Sequence, residues 1–558
     1  MGKLLLRPSN WQGRTIKVDG EPITIGRHPD NAICLHDEKL SRFHCVVEPD
    51  DDGGYRIRDL GSRNGTRLNE AKVERARIAN GDMIRFGDHE YIAEIVEDSP
   101  HTAPVRKRRP EESRKQTVDA APADPPGRSG EPDWAGELER LLLALPPKDQ
   151  KEEGLTMIEA NGTSSQVLRA KGEGPRAMAL LLQIASKARA TDVHMEARGE
   201  ETNLRIRVDG QMVSLVEMPR RVGELVAGLV KTACQMQMAA RDAVQEGHFS
   251  CRFPDRRVEY RVSFTPSVHG QKMVIRVLDD RYVPHSLDEL GLAGYMYDRL
   301  RRTCDQDHGL LLVCGPTGSG KTTTLYNALR QIDRYARNVV TIEDPVEYQL
   351  DNVTQIPVNS SGPKETNNFG TLLRSVLRQD PDVILVGEIR DEETARTAMQ
   401  AAMTGHLVFS TVHSKDTISA VFRLLDLKVE PYLVANSLDL VLAQRLVRVL
   451  CDSCKRSVPV APGVATRLGK FLGGKTQMYV STGCNRCLRT GYRGRRALFE
   501  LLDFTDDLRD VVLRDPSIQS MKRIIEQGHF TTLAQSGWRL VAEGLTTLDE
   551  VDHVAGQG

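Results

Sequence analysis

Residues of the types and spacing needed to bind phosphate lie near the middle of the chain. Gly315, Gly320, Lys321 and Thr322 fit the pattern G-x-x-x-x-G-K-[ST], which defines the P-loop. The glycines let backbone N–H groups surround phosphate at a helix N-terminus, where the partial positive charge favours anions. Lys321 can reach the β- and γ-phosphates, and the Thr322 hydroxyl can ligate Mg²⁺. The pattern predicts ATP binding, with the other loop contacts from Pro316, Thr317, Gly318, Ser319 and Thr323.

The P-loop requires a strand before it and a helix after it, and the flanking sequence predicts both. Residues 310–313 are an apolar run, and apolar residues recur at helical spacing between 325 and 332. Apolar runs at 339–342, 383–386 and 407–411 predict further strands, with helical segments between them. This alternation predicts an α/β domain with a parallel sheet.

Three polar side chains follow those later strands. Glu343, Glu388 and His413 each lie within two residues of a predicted strand end. Parallel sheets place their ligand sites outside the carboxyl ends of the strands, so all three are expected to face the P-loop crevice. An acidic residue in such a position can also serve only as a helix cap. Two acidic strand ends beside a P-loop favour a catalytic role.

Four of the ten cysteines form two close pairs near the C-terminus. Cys451 and Cys454 make one C-x-x-C knuckle, and Cys484 and Cys487 make the other. Four thiolates suit tetrahedral Zn²⁺ in a closed structural site, although the spacer between the knuckles is longer than the usual template. Buried free thiols are the alternative. The other six cysteines are scattered, which is typical of a reducing compartment and not of a disulfide scaffold.

Composition shifts divide the rest of the chain. Residues 1–98 show short alternating runs between turn clusters and predict an all-β sandwich. Residues 99–133 are rich in Pro, Ala, Asp and Arg and predict a disordered linker. Residues 134–172 are interpreted as a short helical connector, and residues 173–285 as an α+β domain. The α/β core then occupies 286–558.

Arg205 and Arg207 share one face of a strand in the α+β domain, because side chains two residues apart point the same way. That face is available to a phosphate group. Ordinary exposed strand residues are an equally good interpretation from the spacing alone.

Length and charge limit the function classes. A chain of 558 residues is long enough for three or four domains. Its net charge of −1 gives no basic field of the kind that marks nucleic-acid binders. No apolar stretch approaches the 18 residues needed to span a bilayer, and the first residues lack the long apolar region of a signal peptide. We therefore expect a cytoplasmic protein whose membrane association is peripheral and whose partners do not include nucleic acid.

Three ordered fragments in the front domain each lie in a turn-like position between predicted strands. They are Gly26-Arg27, Ser41-Arg42-Phe43-His44 and Asn64-Gly65-Thr66. Together they resemble the forkhead-associated (FHA) domain. The resemblance covers nearly all of residues 3–96 and implies a domain that binds phosphothreonine peptides. It implies that Arg27, Ser41 and Arg42 contact the phosphate, that Asn64 grips the peptide backbone, and that His44 braces the loop from within.

Four ordered stretches mark the region from residue 173 to residue 558. They are the P-loop, the acidic box at 341–347, the segment 377–391 and the histidine box at 404–413. With these stretches, residues 173–558 resemble the type II secretion and type IV pilus assembly ATPases of bacteria. The resemblance implies a hexameric motor with a RecA-like core, in which ATP lies between the α+β domain and that core. It also implies that residues about 447–492 form a zinc subdomain and residues 493–558 the C-terminal helices. The tetracysteine insertion is typical of the assembly and secretion branches.

The resemblance also implies a role for each candidate residue. Lys321 and Thr322 bind phosphate and Mg²⁺, and Glu388 orients or deprotonates the attacking water. Glu343 and His413 support the site. The resemblance also implies that Arg205 and Arg207 reach the nucleotide phosphates, with Arg374 and Arg378 as weaker candidates for a role across the subunit interface.

The implied partners are further copies of the chain, an inner-membrane platform protein and a phosphothreonine-containing protein. Two other functions are considered: a phospho-dependent adaptor with a non-hydrolysing nucleotide switch, and a DNA-uptake or conjugation motor. Intact Lys321, Thr322 and Glu388 disfavour the first, and the neutral net charge disfavours the second.

Overall fold

The computed structural model describes residues 3–8, 15–18, 22–27, 31–35, 37, 39–50, 54–69, 71–96, 133–146, 154–358 and 367–556. It divides into two compact units, Met1–Pro125 and Pro126–Gly558, each of which is described by itself. The linker predicted at 99–133 lies outside the described residues, apart from Asp133.

The first unit is a β-sandwich, as the alternating sequence predicts. Its two sheets have the strand orders β2-β1-β11-β10-β7-β8 and β4-β3-β5-β6-β9. Apolar side chains such as Leu4, Ile25, Ile57 and Phe86 fill the space between the sheets. The strands are β1 (Lys3–Pro8), β2 (Ile16–Val18), β3 (Ile23–Gly26), β4 (Ile33–Cys34), β5 (Cys45–Pro49), β6 (Tyr55–Asp59), β7 (Thr66–Leu68), β8 (Ala71–Val73), β9 (Arg75–Ile78), β10 (Met83–Phe86) and β11 (His89–Val96).

The second unit begins with an α+β domain, whose eight-stranded sheet is antiparallel throughout, with helices packed against it. The sheet has the order β13-β12-β17-β18-β19-β14-β15-β16. Its elements are α1 (Trp134–Ala144), β12 (Thr156–Ile158), β13 (Ser164–Ser165), α2 (Glu173–Ala188), β14 (Ala190–Arg198), β15 (Glu201–Val208), β16 (Gln211–Pro219), α3 (Arg220–Ala233), β17 (Gln245–Arg252), β18 (Arg257–Ser267) and β19 (Gly270–Leu278).

The interpretation of residues 134–172 as a separate connector is wrong. Helix α1 buries Trp134 and Leu138 in the same apolar core as α2 and the sheet. Strands β12 and β13 extend that sheet by pairing with β17 and with each other. Two strands this short give little alternating signal, so the sequence alone predicts only a connector. It belongs to the α+β domain.

The α/β core is built on a seven-stranded sheet with the order β22-β21-β23-β24-β20-β25-β28. All neighbours are parallel except β25 and β28. Its elements are α4 (Gly294–Cys304), β20 (Gly309–Cys314), α5 (Lys321–Gln331), β21 (Val339–Glu343), β22 (Thr354–Pro357), α6 (Phe369–Val376), β23 (Val383–Val386), α7 (Glu392–Met403), β24 (Leu407–Val412), α8 (Thr417–Asp426), α9 (Pro431–Ser437), β25 (Leu438–Leu450) and β28 (Tyr492–Asp503). Strands β20, β21, β23 and β24 are buried along their whole length, as expected for a parallel sheet covered on both faces.

The remaining elements lie between β25 and β28 and at the C-terminus. They are β26 (Arg456–Pro459), α10 (Pro462–Leu468), β27 (Gln477–Val480), α11 (Asp506–Arg514), α12 (Ile518–Glu526), α13 (Leu533–Ala542) and α14 (Leu548–Ala555). The expectation of C-terminal helices from residue 493 is wrong at its start, because Tyr492–Asp503 is a strand of the core sheet and the helices begin at Asp506. No helix in the described ranges has the length and apolarity that a bilayer crossing requires.

Candidate functional site

The P-loop connects β20 to α5, and Gln444 leaves no space for a side chain at two of its glycines. A Cβ on Gly315 would lie 2.5 Å from the Gln444 carbonyl oxygen, and one on Gly320 would lie 2.7 Å from Gln444 Nε2. Gly320 also has a φ of +89°, a conformation that favours glycine. Gln444 belongs to β25, the strand beside β20. The loop is therefore held tightly against the sheet while Pro316, Thr317 and Gly318 are exposed.

The Lys321 ammonium folds back over the loop. Its Nζ donates to the carbonyl oxygens of Gly315 at 3.0 Å and Pro316 at 3.1 Å. Burial lowers the pKa of Lys321, and the nearby Glu388 carboxylate opposes that shift. Thr322 is exposed in the first turn of α5, and the Ser319 hydroxyl is buried without a hydrogen-bond partner in the described part of the chain. The loop thus presents a cation and two hydroxyl groups at a helix N-terminus.

Glu388 and His413 meet because their strands are neighbours in the sheet. Strand β24 lies between β20 and β23, so the ends of these strands form one edge. His413 Nε2 lies 3.5 Å from the Glu388 carboxylate, which also pairs with Arg390. The Glu388 side chain is only 13% exposed. A largely desolvated carboxylate beside the P-loop lysine is suited to orienting water next to a phosphate.

Glu343 is placed differently from Glu388. It is 3% exposed and accepts hydrogen bonds from Thr341 Oγ1 at 2.6 Å, Gln355 Nε2 at 3.1 Å and the Tyr326 hydroxyl. Tyr326 is on α5, the helix that follows the P-loop. Glu343 therefore ties α5 to β21 and β22, and its supporting role in the site stays a prediction.

Arg205 and Arg207 lie on the sheet face of the α+β domain that the alternation predicts. Arg205 pairs with Glu196 at 2.7 Å, and Arg207 lies 3.6 Å from Asp192. Arg207 also donates to the Gly210 carbonyl oxygen. In the described ranges, the contacts of both arginines stay within their own domain. The structure therefore has both arginines on one sheet face but does not bring them into contact with the P-loop.

Arg261, which the sequence analysis missed, connects that same sheet to the core. Arg261 follows the buried Tyr260 on β18. Across the sheet it pairs with Arg276 on β19, and Arg276 pairs in turn with Asp192 on β14. The Arg261 guanidinium donates to the carbonyl oxygen of Val346 at 2.9 Å, within the acidic box. The alternation that identified Arg205 and Arg207 could also have identified Arg261.

Arg445 is a second missed residue. It donates to the carbonyl oxygens of Gln444 at 3.0 Å and Lys415 at 2.5 Å, which places a cation behind Gly315. No local motif marks it, because it reaches the P-loop only through the pairing of β25 with β20.

The weaker candidates lie near α6. Arg374 pairs with Glu393 on α7, and Arg378 donates to the Arg374 carbonyl oxygen at 2.8 Å.

In the first unit, backbone and side-chain hydrogen bonds join the three predicted loops. Arg27 N donates to the Ser41 carbonyl oxygen at 3.1 Å, and Arg63 N donates to Ser41 Oγ at 3.0 Å. Asn64 Nδ2 donates to the Lys39 carbonyl oxygen at 2.7 Å. The loops that carry Arg27, Ser41 and Asn64 are therefore fixed to one another, and the Arg42 side chain is exposed beside them.

His44 lies beneath these loops. It is fully buried, and its Nδ1 accepts a hydrogen bond from Ser41 N at 3.2 Å. Burial lowers the pKa of His44, so the neutral ring is favoured. The side chain braces the loop and does not face solvent.

The two cysteine knuckles meet because β25 and β28 are antiparallel neighbours. Leu450 pairs with Tyr492 at the end of this hairpin, so the residues just beyond each strand face one another. The four Sγ atoms lie within 4.8 Å of one another, with separations of 4.0 Å for Cys451 to Cys484 and 3.9 Å for Cys454 to Cys487. A tetrahedral ion with Zn–S bonds of about 2.3 Å needs sulfurs about 3.8 Å apart. The cluster has the geometry of a closed thiolate site.

Known protein families match both units of this architecture. A family model described as "Type II/IV secretion system protein" matches residues 171–553, and one described as "FHA domain" matches residues 23–87. The type II secretion system protein E of Pectobacterium carotovorum subsp. carotovorum is 40% identical over 432 residues, which cover 75% of this chain and 86% of that protein. Its counterpart from Pseudomonas aeruginosa is 39% identical over 422 residues, which cover 76% and 81%.

A solved structure supports the fold. The ATPase DotB of Legionella pneumophila superposes with a TM-score of 0.52 at 20% identity, covering 68% of this chain and 94% of that chain. The family model covers most of the described second unit, and two relatives exceed a third in identity over three quarters of the chain. The chain therefore belongs to the type II/IV secretion system protein family, as a type II secretion ATPase that carries an FHA domain.

Proposed function

We propose that the chain forms a homohexamer that hydrolyses ATP to assemble a type II secretion pseudopilus or a type IV pilus. The observation that carries this proposal is the sheet edge at which Lys321, Glu388 and His413 meet, with the arginine face of the α+β domain linked to the same core through Arg261. In this scheme ATP lies between the two domains. Arg205 and Arg207 reach its phosphates after the domains close, and Arg374 or Arg378 serves a neighbouring subunit.

The reaction is phosphoryl transfer to water, in which positioning and charge stabilisation supply most of the catalysis. The P-loop N–H groups and Lys321 hold the phosphates, and the ammonium must leave the Gly315 and Pro316 carbonyl oxygens to do so. Glu388 orients or deprotonates the attacking water. His413, whose Nε2 lies 3.5 Å from the Glu388 carboxylate, would help to hold that carboxylate in place.

The residues present fit a nucleotide-bound Mg²⁺. The exposed Thr322 hydroxyl follows the lysine, and the orphaned Ser319 hydroxyl offers a second oxygen on the same loop. When bound, Mg²⁺ neutralises charge on the β- and γ-phosphates.

Zn²⁺ is proposed for Cys451, Cys454, Cys484 and Cys487. Besides the sulfur geometry, the N–H groups of Cys484 and Gly491 point at Cys487 Sγ from 3.2 and 3.3 Å. Burial raises the pKa of Cys487 to about 12, and these two N–H groups oppose that shift. Four sulfur ligands leave no open position, so the proposed role is structural and not catalytic.

The FHA domain is proposed to recruit the motor to a phosphothreonine-containing protein. Phosphothreonine carries about −1.5 to −2 charges at neutral pH and three acceptor oxygens. Arg27, Ser41 and Arg42 would supply cations and a short donor on loops that are hydrogen-bonded together, and Asn64 would hold the peptide backbone. The motor itself is proposed to act in the cytoplasm, against an inner-membrane platform protein.

Two measurements on the purified full chain test this proposal. Steady-state phosphate release should require Mg²⁺, and light scattering should give the mass of six chains when nucleotide is bound. A chain that binds ATP and never turns it over would overturn the motor and leave the adaptor alternative. The platform assignment is tested by cross-linking in cells, where an inner-membrane protein of a secretion or pilus system should be recovered.

A further inference from the structure

A cavity of about 310 Å³ lies within the α+β domain, and all of its lining residues belong to that domain. Helix α3 forms one wall with a stripe of residues three and four positions apart, from Arg220 to Lys231. The opposite walls come from β14, β15, the β18–β19 turn and the segment around Met238 and Arg241. No part of the P-loop, the cysteine cluster or the FHA loops contributes to it.

Lys231 is the unusual member of this lining. Its side chain is buried, at 3% exposure, although an ammonium has three N–H donors. Its one hydrogen bond in the described part of the chain goes to the Ala240 carbonyl oxygen at 3.5 Å. That oxygen also accepts from Gln245 at 2.7 Å and Gln271 at 3.4 Å, so it is already well occupied. The ammonium also lies 5.1 Å from the centre of the Phe264 ring.

No carboxylate in the described ranges forms an ion pair with Lys231. Glu224, on the same helix, pairs with Arg220 at 3.1 Å. Arg241, which also lines the cavity, adds to burial in lowering the pKa of Lys231. The lining holds three cationic side chains (Arg220, Lys231, Arg241) and two carboxylates (Glu224, Asp242), which leaves a net charge of +1. A buried charge without a partner is costly, and an anion in the cavity would remove that cost.

Three methionines make part of the rest of the lining apolar and adaptable, beside the polar Thr202, Ser267 and Gln271. Met195, Met238 and Met273 line the cavity, and methionine side chains adjust readily to an apolar ligand. Gly228 on α3 adds space, because a Cβ there would only touch the end of Met238 at 3.5 Å. The volume is at the lower end of the range for small-molecule sites, about 300 to 1,000 Å³.

We propose that this cavity binds a small amphipathic anion, a carboxylate or phosphate monoester on a short apolar chain. Its charged group contacts the Lys231 ammonium, and its chain lies against the three methionines. The site is separate from the proposed ATP and phosphopeptide sites, and it would stabilise the α+β domain when occupied.

The test is calorimetry and thermal unfolding of the full chain with sodium hexanoate, hexyl phosphate and hexanol. Hexanoate is the first probe because the P-loop and the FHA loops are both expected to take phosphate. We expect hexanoate to bind and raise the Tm, and hexanol to do neither. Hexyl phosphate binding in place of hexanoate would support the site and assign its ligand as a phosphate ester. Lys231→Met keeps the apolar stem and removes the charge, and it should weaken anion binding at least about tenfold.

Two further variants keep the result interpretable. Lys171→Met removes an exposed lysine of the same domain and should bind hexanoate like the wild type. Gly228→Leu fills the cavity without touching the charge and should abolish binding while leaving the chain folded. Without anion, Lys231→Met should be at least as stable as the wild type, because an uncompensated buried charge gains by apolar replacement. Equal binding by Lys231→Met, equal binding of hexanol, no binding of either anion, or strong destabilisation by Lys231→Met would each overturn the proposal.

Discussion

The P-loop region and the FHA loops hold their cationic side chains in opposite ways. Lys321 is partly buried at the carboxyl edge of a parallel sheet, and burial lowers its pKa. Arg27 and Arg42 are exposed on loop tips whose backbones are hydrogen-bonded together. A desolvated cation strengthens charge stabilisation during phosphoryl transfer, whereas an exposed arginine on a fixed loop allows a phosphopeptide to arrive and leave. The difference suggests that the P-loop region hydrolyses a phosphate bond and that the FHA loops recognise a phosphate group.

The largest expected effect belongs to the buried region. Glu388→Gln should lower kcat about 10²- to 10⁴-fold, because the amide keeps the shape and removes the charge that orients the water. ATP affinity should remain, since Lys321 and the P-loop are unchanged. Phosphate release under steady state and fluorescent-nucleotide binding measure the two quantities.

Glu343→Gln is the matched control, because it alters a second buried carboxylate of the same sheet edge. That carboxylate accepts hydrogen bonds from Tyr326, Thr341 and Gln355, so its loss should lower the Tm more than Glu388→Gln does. Turnover of Glu388→Gln within a few fold of the wild type would contradict the assignment.

The second prediction addresses the exposed region. Arg27→Ala should cost about 1.5 to 3 kcal/mol of phosphopeptide affinity, roughly ten- to a hundredfold, because charge-assisted contacts are the strong ones. The measurement is a titration of the full chain with a phosphothreonine peptide library and its unphosphorylated counterpart. Arg7→Ala is the control, since Arg7 on β1 pairs with Glu94 and lies outside the three loops. Equal affinity for both peptide sets would leave the sandwich only a packing or docking role.

The sequence predicts a region well when the residues that form it are close together along the chain. The P-loop residues are contiguous, so pattern alone places Lys321 and Thr322 correctly at the start of α5. Gln444 and Arg445 are more than 120 residues away and reach the loop only through the pairing of β25 with β20. Glu388 and His413 could be expected to meet, because both follow strands of one parallel sheet. The partners of Glu343 could not, since Gln355 and Tyr326 lie on different elements.

The same reasoning explains the domain boundaries. Helix α1 has a clear pattern, but it is buried against α2 and β16, which follow later in the chain. Strands β12 and β13 are three and two residues long, too short to be recognised alone. By contrast, the FHA fragments sit at turns, where residue type and backbone conformation are closely linked.

The third prediction tests the zinc site, where geometry is fixed by strand pairing instead of by loops. Cys451→Ser with Cys454→Ser should remove about one zinc per chain and lower the Tm, because metal binding contributes folding free energy. Elemental analysis and thermal unfolding measure these effects. The control is Cys304→Ser, a buried cysteine of α4 outside the cluster, which should keep its zinc. Absence of stoichiometric zinc from the wild type would show that the cluster holds free thiols.

The fourth prediction has the smallest expected effect and tests whether peptide binding to the FHA domain changes the ATPase rate. A saturating phosphothreonine peptide should change the steady-state ATPase rate of the full chain by less than about twofold. This expectation rests on the prediction, from composition alone, that residues 99–133 form a disordered linker, because such a linker transmits proximity and not a conformational change. The same peptide anchored to a vesicle should instead concentrate the chain on that vesicle, and Arg27→Ala should not be concentrated. If the free peptide raises or lowers turnover severalfold, and Arg27→Ala abolishes that change, the FHA domain regulates the motor directly. The separation between ATP hydrolysis at the P-loop and phosphate recognition by the FHA loops is then wrong.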